Sequence, residues 1–294
     1  MLPEVDITVI IPSYRSAATL RRCLVSIVKQ VTTHSYCVMV VHSGPEQVDE
    51  TLIGSSPLVH FHIELDRWLP GRARNWALGV ARSPWVLFLD SDCIARPDLL
   101  QTMMSTAAKF SAGAVGGSIL NGCGANVFSW AMHLLEFGEW LPLGQPRHCL
   151  NFASFSALYE KRLVLESGGF PENIFPCEDM VFNYRLRSTG VDLMFDPRSP
   201  VLHVRERTLA SLTRYSYDFG VTYGWACRRY DLPGKFMTEW PWALLVPTVI
   251  IGRLARILIR LLGGSLRYAI AFFATSPFLL CGQIAWTLGF LKGR

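Results

Sequence analysis

Trp85-Val86-Leu87-Phe88-Leu89-Asp90-Ser91-Asp92-Cys93 sets an unbroken apolar run against two carboxylates one residue apart. The run has the pattern of a strand covered on both faces, and the carboxylates mark its carboxyl end. Like charges so close repel, and a half-buried carboxylate is costly unless a cation pairs with it. The pair therefore reads as a socket for positive charge; the plain alternative is a polar turn after a strand.

Similar runs lie on either side. ITVIIP (7–12) is largely β-branched, and Leu20, Leu24, Ile27, Val28 and Val31 follow it at helical spacing. CVMVVHS (37–43) and LVHFHIEL (58–65) supply a second and third strand, RARNWALGVARS (72–83) a helix, and PWVLFLD (84–90) the fourth strand. Strands alternating with helices predict an α/β fold with a mostly parallel sheet, whose ligands sit beyond the carboxyl ends of the strands. Beyond it, 113–151 reads as a looser segment rich in glycine and aromatics, 175–190 as a short helix, and 191–204 as a final strand pair.

Composition narrows the function. Hydrophobic residues make up 50% and charged residues 17%, where soluble domains carry about 25% charged. A net charge of +5, with no Lys- or Arg-rich run in the first two thirds, argues against nucleic acid as a partner. The eight cysteines form no CxxC pair and no Cys/His cluster at zinc spacing, which fits reduced thiols in the cytosol. MLPEVDITVIIPSY enters a strand pattern at once, without the basic start of a signal peptide. The expected location is thus a membrane surface with the catalytic part on the cytoplasmic face.

The membrane enters through the tail. No charged residue occurs from Tyr268 to Leu291, a length able to cross a hydrocarbon core as a helix kinked at Pro277. Upstream, in WALLVPTVIIGRLARILIRLL (242–262), Arg253, Arg256 and Arg260 share one helical face opposite Ile, Leu and Val, the pattern of an interfacial helix. The expected organisation is a domain over 1–235, then over 236–294 an interfacial helix with a membrane helix or re-entrant hairpin.

IIPSYR (10–15), GRARNWALGVARSPWVLFLDSDC (71–93), GGFPENIFPCEDMVFNYRLRSTG (168–190) and VLHV (201–204) together resemble successive motifs of glycosyltransferase family 2, over about residues 5 to 230. The resemblance implies a GT-A fold and transfer of a sugar, with inversion, from a nucleotide-sugar donor. It implies Mg²⁺ or Mn²⁺ held by Asp90, Asp92 and His203, with Asp92 in the more direct contact. It makes Asp179 the base, with Glu178 beside it, and places Pro12, Ser13, Tyr14, Arg74, Asn75 and Asp90 around the donor. Arg205 is a diphosphate candidate, and Arg207 follows it. The chemistry is coherent: a divalent cation on carboxylate oxygens offsets charge on the departing diphosphate, and a carboxylate takes the acceptor's proton. Attack opposite the leaving group inverts the anomeric centre.

One departure stands out. Where the family pattern reads VVDSGS, with an aspartate that hydrogen-bonds the base, this chain has VVHSGP with His42. Histidine keeps donor and acceptor capacity but loses a carboxylate's preference for an N–H edge. His42 is what favours the alternative reading, a catalytically silent membrane scaffold or binding protein on the same fold. A nucleotidyltransferase ranks below both, because residues 10–25 contain no glycine for a phosphate loop. The expected acceptor is lipid-linked or a glycan, met near the bilayer, with contacts sought in Gly116–Gly144, and membrane lipids are the expected partner of the tail.

Overall fold

A computed structural model describes residues 2–48, 56–239, 241 and 246–293. The chain runs β1 (Ile7–Ser13), α1 (Ala17–Ile27), β2 (Tyr36–Ser43), β3 (Val59–Glu64), α2 (Pro70–Val80), β4 (Trp85–Leu89), β5 (Cys93–Ala95) and α3 (Leu99–Phe110). It continues through β6 (Ala114–Asn121), α4 (Val127–Phe137), β7 (Arg147–Cys149), β8 (Ser156–Glu160), α5 (Lys161–Glu166), α6 (Glu178–Ser188) and β9 (Leu193–His203). Last come α7 (Leu209–Tyr230), a 3-10 turn (Lys235–Thr238), α8 (Val246–Gly264) and α9 (Leu266–Gly293).

The strands form one sheet in the order β3-β2-β1-β4-β8-β6-β9-β5, with β7 on β9. The β3-β2-β1-β4 half is parallel. The β4–β8, β6–β8, β9–β5 and β9–β7 pairs are antiparallel. The sheet is thus mixed, and its parallel half is the βαβ part that periodicity predicts. Ile7, Val9, Ile10, Val86, Leu87 and Phe88 are fully buried in it, as a strand covered on both faces requires.

Three sequence expectations need correction. Val31 lies outside α1 and is exposed, because the helix ends at Ile27 and the Val31 N–H goes to the Pro97 carbonyl. The looser segment is largely regular, forming β6, α4 and β7. Its glycines mark close packing: a Cβ on Gly116 would lie 2.3 Å from the Phe152 ring, and one on Gly117 2.5 Å from the Ser199 carbonyl. Residues 191–204 give one strand, β9, which carries Pro197 and Pro200 and pairs with β7 near its start and β5 near its end.

The chain divides into two compact units. The first comprises residues 1–120, 145–174 and 178–204, and the second 121–144, 175–177 and 205–294. This division differs from the boundary at 235 that composition suggests. The physical reason is that α4 and α7 share one apolar core with the tail, built from Ala131, Leu134, Leu135, Leu212, Ile257, Leu261 and Phe272. Within Gly116–Gly144, where acceptor contacts are sought, Ala131, Met132, Leu134 and Leu135 of α4 lie in that core.

In the second unit α7 begins with a capping box between Thr208 and Ser211. It packs on α9 at glycines: a Cβ on Gly289 would lie 2.1 Å from the Tyr217 carbonyl, and one on Gly220 2.1 Å from that of Trp286. Helix α9 is one continuous helix with Pro277 inside it, rather than a re-entrant turn. Pro277 cannot donate to the Phe273 carbonyl, and the Ser276 hydroxyl donates to it instead at 2.9 Å. On α8, Arg253 donates to the Leu135 carbonyl at 2.5 Å, and Arg256 lies 3.4 Å from Glu139. Trp242 to Leu245, where the interfacial pattern begins in the sequence, lie outside the described residues.

Candidate active site

The first unit gathers most of the predicted residues at strand ends and at the start of α6. Pro70 starts α2, and Gly71 follows it where any side chain would meet the Pro171 carbonyl, a Cβ lying 2.1 Å from its oxygen. This close approach brings Arg74, 1% exposed, between two acids. Arg74 Nη1 donates to Glu178 Oε1 at 2.7 Å, and Nη2 donates to Asp90 Oδ1 at 3.0 Å. Phe88 and Phe170 line the guanidinium, with ring centroids 5.9 and 5.3 Å away. Burial opposes the charge on Arg74, but Asp90 and Glu178 outweigh it and hold the guanidinium protonated.

The cation that the paired aspartates call for is therefore partly supplied by the chain itself. Asp90, at the end of β4, leans on Arg74, while Asp92 is paired elsewhere. Asp92 Oδ2 lies 3.5 Å from His203 Nε2, both side chains being partly exposed. The pair is built by the β5–β9 ladder, where Cys93 faces His203 and the Val204 N–H donates to the Asp92 carbonyl. Phe155 stacks on the His203 ring at 5.6 Å.

Among the described residues, no three His, Cys, Asp or Glu side chains are gathered as a complete metal cage. The structure brings together two of the three expected ligands, Asp92 and His203, and gives one oxygen of the third, Asp90, to Arg74. A partly exposed carboxylate beside an imidazole is a donor set that fits Mn²⁺ or Mg²⁺, ions that complete their shell with phosphate oxygens and water.

At the start of α6 two acids stand in the first turn, where the helix dipole favours them. Asp179 is partly buried; its Oδ2 accepts the Ser154 N–H at 3.1 Å and its Oδ1 the Met180 N–H at 2.8 Å. The helix is anchored by buried Asn183, which accepts the Tyr159 hydroxyl at 2.8 Å and donates to the Phe152 carbonyl at 2.9 Å. Burial pushes the Glu178 carboxyl up to about 7, against the pull of Arg74 and with help from Asp179. Burial likewise raises Asp179 and Asp90, each opposed by Arg74. One guanidinium faces three acids, so these groups titrate as a set.

On the other side of β4, Ser13 pairs in register with His42 across β1 and β2. The His42 ring is fully buried. Its Nε2 meets the Glu46 carbonyl at 2.9 Å and its Nδ1 the Ser13 hydroxyl at 2.9 Å. A carbonyl only accepts, so Nε2 carries the proton and Nδ1 accepts from Ser13. The Ser13 oxygen in turn sits 2.7 Å from Ser16 Oγ. Both ring nitrogens are thus committed inside the protein, which corrects the expectation that His42 meets the donor directly. Tyr14 is half-buried over Gly44, whose φ of +104° suits glycine, and the Arg67 and Arg15 guanidinium groups sit 4.9 and 5.4 Å from its ring. Pro12 is partly exposed beside it.

One further expectation shifts. Asn75 donates to the Phe170 carbonyl and Glu172 and accepts the Phe170 N–H, so its amide pins that loop instead of facing the donor end of the sheet. Arg205 is exposed and Arg207 buried, both in the helical unit, and Arg207 lies 4.7 Å over the Tyr215 ring. Sequence reading missed the Ser154 amide, Phe155 and Arg67. A backbone donor and two cross-chain ring contacts leave no local pattern to find.

The family model for glycosyl transferase family 2 matches residues 8–164, more than half of the chain. The succinoglycan biosynthesis protein ExoO of Rhizobium meliloti (strain 1021) is 29% identical over 248 residues, which is 78% of this chain and 70% of that protein. The pre-mycofactocin glycosyltransferase of Mycobacterium tuberculosis (strain ATCC 25618 / H37Rv) is 25% identical over 272 residues, 88% of this chain. The chain spans only 56% of that relative's length. Among solved structures, the mannosyltransferase PcManGT from Pyrobaculum calidifontis, in complex with GDP-Man and Mn²⁺, has a TM-score of 0.62 at 20% identity. That likeness covers 98% of this chain and 88% of the other, and it shows a shared GT-A fold.

Proposed function

Because the chain belongs to glycosyl transferase family 2 and is a glycosyltransferase, we propose that it moves a sugar, with inversion, from a nucleotide-sugar donor to an acceptor hydroxyl, with Asp179 as the base. The observation that carries this reading is buried Arg74, which ties Asp90 at the end of β4 to Glu178 at the start of α6. One rigid cation thereby sets the donor end of the sheet against the acid pair. Asp179 is the acid of that pair left outside the ion pair, and burial raises its affinity for a proton. A base so tuned takes the acceptor's proton as the oxygen attacks the anomeric carbon from the face opposite the diphosphate. Glu178 acts through Arg74 as a positioning residue.

Asp92 and His203 would hold a divalent cation, which when bound offsets charge on the departing diphosphate. The archaeal mannosyltransferase, a complex with GDP-Man and Mn²⁺, supports this choice of cofactor and donor class. Tyr14 stacks on the base, Pro12 and Ser13 border it, and His42 with Ser16 fixes the Ser13 hydroxyl. Asp90 sits at the ribose or the metal. The acceptor is a glycan or lipid-linked hydroxyl presented at a membrane, with the catalytic unit on the cytoplasmic face; the apolar tail and the succinoglycan relative favour this.

The test is release of nucleoside diphosphate from a panel of nucleotide-sugars with Mn²⁺. Asp179→Asn is expected to lower turnover by about 10²-fold or more, the range for general-base loss, while nucleotide binding persists. Equal turnover in both proteins would remove Asp179 from the mechanism, and no turnover in wild type on any donor would favour the silent scaffold.

A further inference from the structure

We propose that the α8–α9 hairpin holds this protein on the surface of an anionic bilayer with α9 lying in the plane of one leaflet, not crossing it. The chain has no acidic residue after Glu239, whereas Arg253, Arg256, Arg260, Arg267, Lys292 and Arg294 all follow. Arg253 is turned inward to the Leu135 carbonyl and Arg256 lies beside Glu139, so half-buried Arg260 with exposed Arg267 and Lys292 supplies the charge that complements anionic lipid headgroups.

The apolar side chains stand on the outside. On α9, Leu266, Ile270, Phe273, Leu280, Ile284 and Leu288 are 51–74% exposed. At about 100° per residue these six fall within an arc of about 80°. On α8, Ile251, Ile259 and Leu262 are 61–71% exposed and cover a similar arc, with Arg256 and Arg260 on the flank between that arc and the core side and Arg253 turned inward. The inner sides of both helices meet in the core that contains Ile257, Leu261, Ala269 and Leu279. One face sunk in acyl chains, with cationic groups at its flanks to meet the headgroups, is the arrangement of an in-plane amphipathic element.

Length alone would let α9 span, since its 28 residues rise about 42 Å at 1.5 Å each. Its neighbour forbids that. Glycines 220, 289 and 293 bring α7 and α9 into backbone contact, each Cβ position lying 2.0–2.1 Å from a carbonyl oxygen of the other helix. Wherever α9 goes, α7 goes too, and α7 carries exposed Arg214 and Asp218 within the contacting stretch. Charges of both signs facing hydrocarbon are costly, whereas in an in-plane seat they remain in water on the far side.

The experiment uses the full chain with vesicles of phosphatidylcholine, with and without phosphatidylglycerol. Flotation is expected with the anionic vesicles and should weaken in high salt. The triple variant Leu266→Gln, Phe273→Gln, Ile284→Gln should lose vesicle affinity by at least about a hundredfold. Its far-UV circular dichroism and unliganded melting temperature should match wild type, which shows that the variant folds. Exposed Cys281 should react with an impermeant maleimide in solution and be shielded on the vesicles. In a Cys281→Ser background, Ser265→Cys and Lys292→Cys should both label from outside. Protection of one end until detergent is added would overturn the in-plane seat in favour of a span. Failure to float would overturn the membrane surface itself, and a dimer that shields Cys281 without lipid would assign the stripe to a second copy of the chain. These readouts are independent of the proposed reaction.

Discussion

Arg74 is the residue on which the site's electrostatics turn. Its guanidinium, inserted from α2, joins acids from distant parts of the chain: Asp90 and Glu178 meet at its two terminal nitrogens. Burial of Glu178 has a measurable signature. The Glu178 carboxyl titrates at its ordinary 4.5 in the unfolded chain and at about 7 in the fold. Between those pH values the native state holds a proton that the unfolded state has released, so stability falls as pH rises through the window. Glu178→Gln cannot ionise and removes that group's share of the fall, leaving those of Asp90 and Asp179. Urea denaturation from acid to neutral pH should show wild type losing more stability than the variant. A wild-type curve that runs parallel to the variant, or gains on it, would reject the raised value.

At the scale of elements, glycine does two opposite things in this chain. In β6 and at the α7–α9 crossing it admits a neighbour that any side chain would displace. Gly252 on α8, by contrast, has nothing within 4 Å of its Cβ position. Gly289→Val should therefore separate α7 from α9 and cost about 3 kcal/mol or more. Gly252→Ala should be neutral or stabilise by up to about 1 kcal/mol, through helix propensity alone. Thermal melts of the two variants decide it: equal melting temperatures would mean that the crossing relaxes freely. The same contrast explains why residues 113–151 mislead a local reading. A glycine that marks a loop and one that marks a tight crossing look alike until the neighbour is known.

For the whole molecule, a ligand that binds only the native state raises the melting temperature with its concentration. Nucleoside diphosphate should do so, Mn²⁺ should enlarge the shift, and Asp92→Ala or His203→Ala should abolish the Mn²⁺-dependent part while leaving some nucleotide effect. A Mn²⁺ increment that survives both variants would move the metal away from this pair.

The βαβ half of the sheet, the carboxylates at its mouth, the acids on α6 and the apolar tail are all legible in the order of residues. Each rests on local periodicity or a short motif, interactions that span a few positions of chain. The order of residues alone also sets the sign of the tail's charge. Folding decided what pairs with what: Arg74 rather than a metal alone against Asp90, Ser13 rather than a ligand against His42, and α7 rather than lipid along the inner side of α9. Those outcomes depend on which distant groups are brought within hydrogen-bond or van der Waals reach, and that is a property of packing that no stretch of residues carries by itself.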